Sequence, residues 1–328
     1  TKVNGEDMTG KTISEVVKKV RGEVGTDVVL TIERAGTSLD VKLTRASIAI
    51  NTVKAELDKE DATIGHVRIT SFAKNTAEEL EKAVKDLTDK GAKAFVFDVR
   101  YNPGGLLDQA YKVANMFLKD GEPIVQVEDR FGEKKIYKAS SSIGEFKITQ
   151  PYVLLVNEGS ASASEILAAA IKEGAGGQII GTKTYGKGTV QSVVDITDNS
   201  ELKYTNAKWL TPKGNWIHKE GVTPTKEVNL PDYAFLKIID AKETLKVGSV
   251  SQNVLSAETI LKGLGYSVTV DGYFDEGTKD AVKSYQQKEG LTATGEVDEE
   301  SAQKLMDSVR ALIQQNDTQY QAAKELLK

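Results

Sequence analysis

The stretch TIGHVRITSFAKNTAEELEKAVKDLTDKGAKAFVFDV, residues 63–99, decides the fold. It opens on one short apolar run, TIGHVRIT, and closes on a second, AKAFVFDV. Between them Leu80, Ala83, Val84 and Leu87 recur at the spacing that lays one apolar stripe along a helix. Thr76 followed by Glu79 reads as a capping box for a helix over 76–90, and Gly91 as its stop. Strand, crossover helix and strand in succession, with strands apolar on both faces, is the pattern of a parallel sheet covered by helices. The pattern continues with a helix from about Leu106 to Lys119, YVLLV at 152–156, a helix from about Ala163 to Glu173, and GGQIIG at 176–181. The core is therefore expected to be α/β, with a mostly parallel sheet.

The flanks have other textures. Residues 1–46 hold an Asn4–Gly5 turn, a helical stretch near Thr12 to Val20, and two apolar runs, VVLTI and LDVKL, separated by a turn at Ala35–Gly36. This small α+β unit is near the lower size limit for folding alone, so it reads as incomplete. Glu122 to Lys147 reads as a meander of short strands, and TVQSVVDI with ELKYTNAKWL, after Thr189, as an added β-hairpin. Pro224 and Pro231 bracket an exit linker. Beyond Val247 the sequence predicts helices over 252–263, 275–289 and 298–315, a small all-α domain with a polar helical tail. The expected divisions are 1–46, 47–235, 246–310 and 311–328.

Composition excludes several classes of function. A chain of 328 residues is about two domains long, and 39% hydrophobic with 28% charged residues is ordinary for a globular protein. The longest apolar runs, Tyr152–Val156 and Ile166–Ile171, fall far short of the roughly 18 residues of a membrane-spanning helix. A net charge of -5 argues against a nucleic-acid partner. With no Cys, thiol catalysis, disulfides and Cys-based zinc sites are all removed. The two histidines, His66 and His218, cannot build a three-His metal site and sit in no HExxH helix, so neither metal nor cofactor is expected. Each histidine reads as structural, and a Ser-His-Asp triad is disfavoured because neither has a partner motif. Any chemistry must use Ser, Lys, carboxylates or backbone. Thr1, with no Met or signal peptide before it, reads as the start of a processed fragment.

Three glycine-rich segments follow strands of the core, where open α/β sheets place their ligand crevice. RYNPGGLL (100–107) is either a tight turn that needs glycine or a set of amides aimed at an oxyanion. In NEGSASASEIL (157–167), Ser162 with Glu165 fits a capping box, yet a serine at a helix start also sits beside the unpaired Ala163 amide and the positive end of the helix dipole. GTKTYGKGTVQ (181–191) almost spells a phosphate loop, but Gly188 stands where Ser or Thr must bind Mg²⁺, and a strand follows instead of a helix. What remains for Lys187 is a solvated turn lysine, or an amine buried beside a serine, where burial favours the neutral form able to take the hydroxyl proton. Gln191 lies about 13 Å along an extended strand from Lys187 and reaches it only if the chain bends at Gly188.

Together DVRYNPGGLLDQA, NEGSASASEILAAAI and GTKTYGKGTVQ resemble the carboxyl-terminal processing, or tail-specific, serine proteases, over residues 1 to about 230. The resemblance implies Ser162 as nucleophile, Lys187 as general base, Gln191 as the partner orienting the lysine, and an oxyanion hole from Ala163 and Gly104. It further implies that 1–46 is the second half of a PDZ-like domain, which in that family recognises substrate C-termini by strand addition. Residues 264–305 resemble a peptidoglycan-binding domain, with Glu258 in the preceding first helix replacing the usual Gln, the plainer alternative being a packing or dimer module. The expectation is an extracytoplasmic bacterial serine endopeptidase acting near apolar C-terminal tails. Two rivals stand beside it: a non-catalytic envelope scaffold, and an enzyme acting on peptidoglycan peptides.

Overall fold

The computed structural model describes residues 1–34, 36–47, 51–197 and 200–328, in two compact units, Thr1–Asn51 and Thr52–Lys328. The first unit holds β1 (Lys2–Val3), β2 (Glu6–Asp7), α1 (Ile13–Val20), β3 (Asp27–Arg34) and β4 (Thr37–Thr44), with an antiparallel sheet in the order β2-β1-β3-β4. Thr12 and Glu15 form a reciprocal capping box at the start of α1. Ala35, half of the turn expected between the two apolar runs, lies outside the described residues.

In the second unit, β5 (Val53–Leu57), β6 (Ile64–Ile69), α2 (Thr76–Asp89), β7 (Ala94–Asp98), α3 (Leu107–Asn115), β8 (Pro123–Asp129), β9 (Lys134–Lys138), β10 (Tyr152–Val156), α4 (Ala163–Ala169) and β11 (Gln178–Gly181) follow one another. A hairpin of β12 (Thr189–Thr197) and β13 (Ser200–Leu210) and the short β14 (Lys226–Glu227) complete the strands. The central sheet has the order β14-β11-β10-β7-β6-β5, parallel throughout except for the antiparallel edge pair β5 and β6. A second sheet, β12-β13-β8-β9, is antiparallel.

Side chains of the central strands alternate between two faces, and both faces are buried. Phe95, Phe97, Leu154 and Val156 join the core that contains Leu80 and Val84 of α2, Val113 of α3 and Ile166 of α4. Val96, Val153, Leu155, Ile64 and Ile180 form a second core that includes Ala322 and Ala323. Those alanines belong to α8 (Thr318–Leu326), the last helix of the chain. The C-terminal segment is thus not a solvated polar tail: its small residues close the second face of the sheet.

The capping box expected at Thr76 does not form. Asn75 precedes α2 without a side-chain cap, and the Thr76 hydroxyl pairs with Thr52 Oγ1 at 2.6 Å. Glu79 Oε2 instead accepts from the amides of Thr52 at 2.7 Å and Val53 at 3.1 Å, because two donors at the start of β5 outweigh one at the helix end. The helix expected over 106–119 is shorter, and the one at 163–173 continues past α4 as a π-helical turn, Ala170–Ala175.

Between β14 and α8 lie α5 (Gln252–Gly263), α6 (Glu276–Glu289) and α7 (Glu299–Gln315). Their N-caps, Ser251, Asp275 and Asp298, each accept from the amide three residues on. They surround a core that includes Val254, Leu261, Phe274, Val282, Tyr285 and Leu305. Among the described residues no helix is long and apolar enough to cross a membrane.

Candidate active site

The three glycine-rich segments leave the carboxyl ends of three neighbouring strands, β7, β10 and β11, and so meet at one end of the sheet. Ser160 Oγ donates to Val99 O at 2.8 Å, Ala161 N donates to Asn102 O at 3.0 Å, and Ser164 Oγ donates to the same carbonyl at 2.9 Å. Tyr185 N donates to Ser160 O at 3.0 Å, bringing the third segment against the second.

Ser162 stands at the start of α4 with φ of 55° and ψ of -112°, a backbone conformation natural to glycine and strained for serine by roughly 1–3 kcal/mol. An ordinary N-cap residue is extended, so helix capping alone does not account for this geometry. The turn presents Ser162 at a sharp strand-to-helix junction beside the Ala163 amide, which donates to no group among the described residues. Gly104, with φ of 100°, packs directly against it: a β-carbon there would lie 2.9 Å from Ser162 Cβ and 3.0 Å from Ala163 N. The Gly104 amide itself donates to Asn102 Oδ1 at 2.9 Å, whereas that of Gly105 has no acceptor among the described residues. Asn102 is fully buried and anchors the turn by donating from Nδ2 to Ile69 O at 2.8 Å.

The carboxylate of Glu165, also fully buried, ties the segment of Ser162 to that of Lys187. Its Oε2 accepts from Ser162 N and from Lys187 N, each at 2.8 Å, and its Oε1 accepts from Gly186 N and Thr184 Oγ1, each at 2.6 Å. The amide nitrogens of Ser162 and Lys187 are therefore no farther apart than twice 2.8 Å. At its other end the Lys187 peptide accepts from the Trp209 indole, Nε1 to O at 2.8 Å. The backbone of Lys187 is clamped on both sides, while its side chain is half-buried and makes no hydrogen bond or ion pair among the described residues. No hydrogen bond joins Lys187 Nζ to Ser162 Oγ.

Gln191 is not brought to the lysine. It is exposed on β12 opposite Thr205, next to a register irregularity between Val190 and Gln191, and bonds to no part of Lys187. His66 lies in β6 with Nε2 3.5 Å from Asp98 Oδ2, and His218 stacks on Trp216 at 5.2 Å. Among the described residues no three His, Asp or Glu side chains converge as metal ligands would. Sequence reasoning missed the structural reach of Glu165 and Asn102. Glu165 was visible only as the fourth residue of a capping box, and nothing in its local pattern signals the loop amides it accepts from.

Comparison with known proteins identifies the family. The model of peptidase family S41 matches residues 63–228, and that of a peptidoglycan-binding domain matches residues 250–305. The chain is 44% identical over 328 residues to the carboxy-terminal processing protease CtpA of Bacillus subtilis (strain 168), covering all of this chain and 69% of that protein. It is 38% identical to CtpB of the same organism, covering 98% of this chain and 68% of the relative. Among solved structures it is similar to the photosystem II D1 C-terminal processing protease, at 33% identity and a TM-score of 0.49, over 70% of this chain and 62% of the other. A family match over half the chain and a relative 44% identical along all of this chain lead to one conclusion: the chain belongs to peptidase family S41, the carboxy-terminal processing serine proteases, and carries a peptidoglycan-binding domain towards its C-terminal end.

Proposed function

We propose that this chain is an endopeptidase in which Ser162 is the nucleophile and Lys187 the general base, acting on polypeptides near apolar C-terminal tails. The observation that carries the reading is the strained, glycine-like backbone of Ser162 beside a free helix-start amide, with Lys187 hung on the same carboxylate oxygen. The four-carbon stem of the lysine is long enough to bring its amine onto the serine hydroxyl. In the proposed reaction the neutral amine takes the Ser162 proton as Oγ attacks the scissile carbonyl carbon. The tetrahedral oxyanion accepts from Ala163 N–H and from an amide of the 102–105 turn, either Gly105 or Gly104 once released from Asn102. The resulting ammonium hands its proton to the leaving amine, and water, activated by the same lysine, hydrolyses the acyl-enzyme. Gln191 joins the lysine only through a rearrangement of the chain after Gly188. The same reading takes Thr1–Asn51 as a PDZ-like unit that receives the substrate tail as an added strand, and places the protein outside the cytoplasm, where a peptidoglycan-binding domain meets its polymer.

The test is a digest of casein and of a peptide with an apolar tail, run beside a muropeptide digest. Ser162→Ala and Lys187→Ala should each lose at least about a thousandfold in turnover without unfolding. Ser162→Gly should be equally inactive yet more stable by roughly 1–2 kcal/mol in urea titration, since glycine relieves the strained turn. Near-normal turnover in either alanine variant rejects the dyad, and cleavage of muropeptides alone moves the substrate to the cell wall.

A further inference from the structure

The last helix of the chain reaches back to the strand that ends at the 102–105 turn. Arg100, two residues beyond β7, is only 8% exposed, and its guanidinium spans two carboxylates. Nε and Nη2 donate to Asp98, at 3.0 Å to Oδ1 and 2.7 Å to Oδ2. Nη1 and Nη2 donate to Asp317, at 2.9 Å to Oδ1 and 2.7 Å to Oδ2, in the bidentate geometry that fixes a guanidinium most tightly. Nη1 also donates to Gln319 Oε1 at 3.0 Å. Asp317 is in turn held as the N-cap of α8, accepting from Tyr320 N at 2.9 Å. Further contacts fasten α8 itself: Gln319 Nε2 donates to Val228 O at 2.8 Å, Thr318 Oγ1 to Asn229 O at 2.7 Å, and Lys324 Nζ to Glu60 Oε2 at 2.7 Å. Burial opposes charge on Asp98, but a hydrogen bond from His66 and the charge of Arg100 hold its carboxyl well below the ordinary range.

Arg100 is followed at once by Tyr101, a non-glycine residue with φ of 57°, and then by Asn102, Pro103, Gly104 and Gly105. On its inner side the turn is tied to the nucleophile segment through Asn102 and through Tyr101 N, which donates to Asn157 Oδ1 at 2.8 Å. On its outer side the contact with the C-terminal helix runs through Arg100.

We infer that Asp317 is a positioning residue for peptide cleavage: through Arg100 it fixes the 102–105 turn against Ser162. The chain beyond the family match at 63–228 is then part of the catalytic apparatus. This rests on the reading of that turn as the oxyanion side of the site.

The experiment uses the full chain with Asp317→Asn and Asp317→Ser, both of which keep a good helix cap while removing the bidentate acceptor. Two quantities are read: steady-state cleavage of a peptide with an apolar tail, and amide hydrogen exchange. The expected result is a fall in kcat of roughly tenfold or more with KM within about twofold, as follows from misplacing a group that acts in the transition state. Exchange should quicken in peptides covering 99–106, while those covering β10 and α8 keep their protection. Unchanged kcat, unchanged exchange at 99–106, or an equal loss of protection over the whole sheet overturns the proposal, the last showing a merely structural tie. If the wild-type chain cleaves nothing, the proteolytic reading fails, and the exchange arm alone decides whether Asp317 holds the turn.

Discussion

Two fully buried glutamates, one in the corner that holds Ser162 and Lys187 and one in the helical region, do similar work with different requirements. Glu165 and Glu258 each sit on a helix and each bind the backbone of a glycine-containing loop. Glu165 has a backbone amide on both oxygens: Gly186 N on Oε1, and Ser162 N with Lys187 N on Oε2. Glu258 has backbone donors on Oε2 alone, from Asp271 at 3.1 Å and Gly272 at 2.8 Å, while Oε1 meets only the Thr278 hydroxyl at 3.2 Å. A hydroxyl can turn round and accept, but an amide cannot. A glutamine therefore fits position 258, its oxygen toward the amides and its NH₂ toward Thr278, whereas at 165 its NH₂ would face backbone donors. The corner that holds Ser162 and Lys187 needs a two-sided acceptor and the helical region does not.

The contrast can be broken most severely with Glu165→Ala. It strips the acceptor from three amides and a hydroxyl, and at about 1–3 kcal/mol for each buried orphan the loss should be on the order of 5 kcal/mol, read as a large drop in the urea midpoint. Glu165→Gln should cost less, roughly 2–4 kcal/mol, but should still lower peptidase activity by tenfold or more, because the NH₂ group pushes Gly186 or Lys187 away. Activity and stability both near wild type in this variant would show that the second oxygen is dispensable, and the comparison would fail.

Glu258→Gln should give the smallest effect and the opposite sign. Burial pushes the Glu258 carboxyl up from 4.5, against the lowering by the Gly272 and Asp271 amides and Thr278, so the folded region binds a proton more tightly than the unfolded chain. The corresponding stability is fully present below pH 4.5 and is lost as pH rises through the raised folded value. The variant should thus be more stable than wild type near neutrality, with the gap opening as the pH is raised. Melting curves at several pH values check this, and a gap that widens on acidification instead would contradict the assigned direction.

How much of the molecule was legible in its sequence follows from the range of the interactions. The parallel core could be read because Phe95, Val96 and Phe97 are apolar on successive, opposite faces, a local signature of a doubly covered strand. The meeting place of the three glycine-rich segments followed from the same pattern. The roof over the second face could not be read, since Ala322 and Ala323 within QAAKELL form too weak a stripe to distinguish a docked helix from a solvated one. Glu79 and Glu165 show the same limit from the polar side. Each lies three residues after a hydroxyl residue at a helix start, and the partners beyond that pattern are 26 or 27 residues away for Glu79 and 19 to 22 for Glu165. Capping chemistry is local and visible, but what else a long carboxylate gathers depends on the tertiary fold. The irregularity beside Gln191 arises from how β12 pairs with β13, which period alone does not reveal.

The return of the chain as α8 has a practical consequence for anyone dividing this protein. The family match ends at residue 228, an inviting place to stop an expression clone. Such a truncation would leave Ile64, Val96, Val153, Leu155 and Ile180 facing water along one broad side of the sheet, a sticky surface more apt to precipitate than to report on catalysis. The hydrolase body is discontinuous in sequence, and its last nine-residue helix travels with it in any fragment meant to stay in solution.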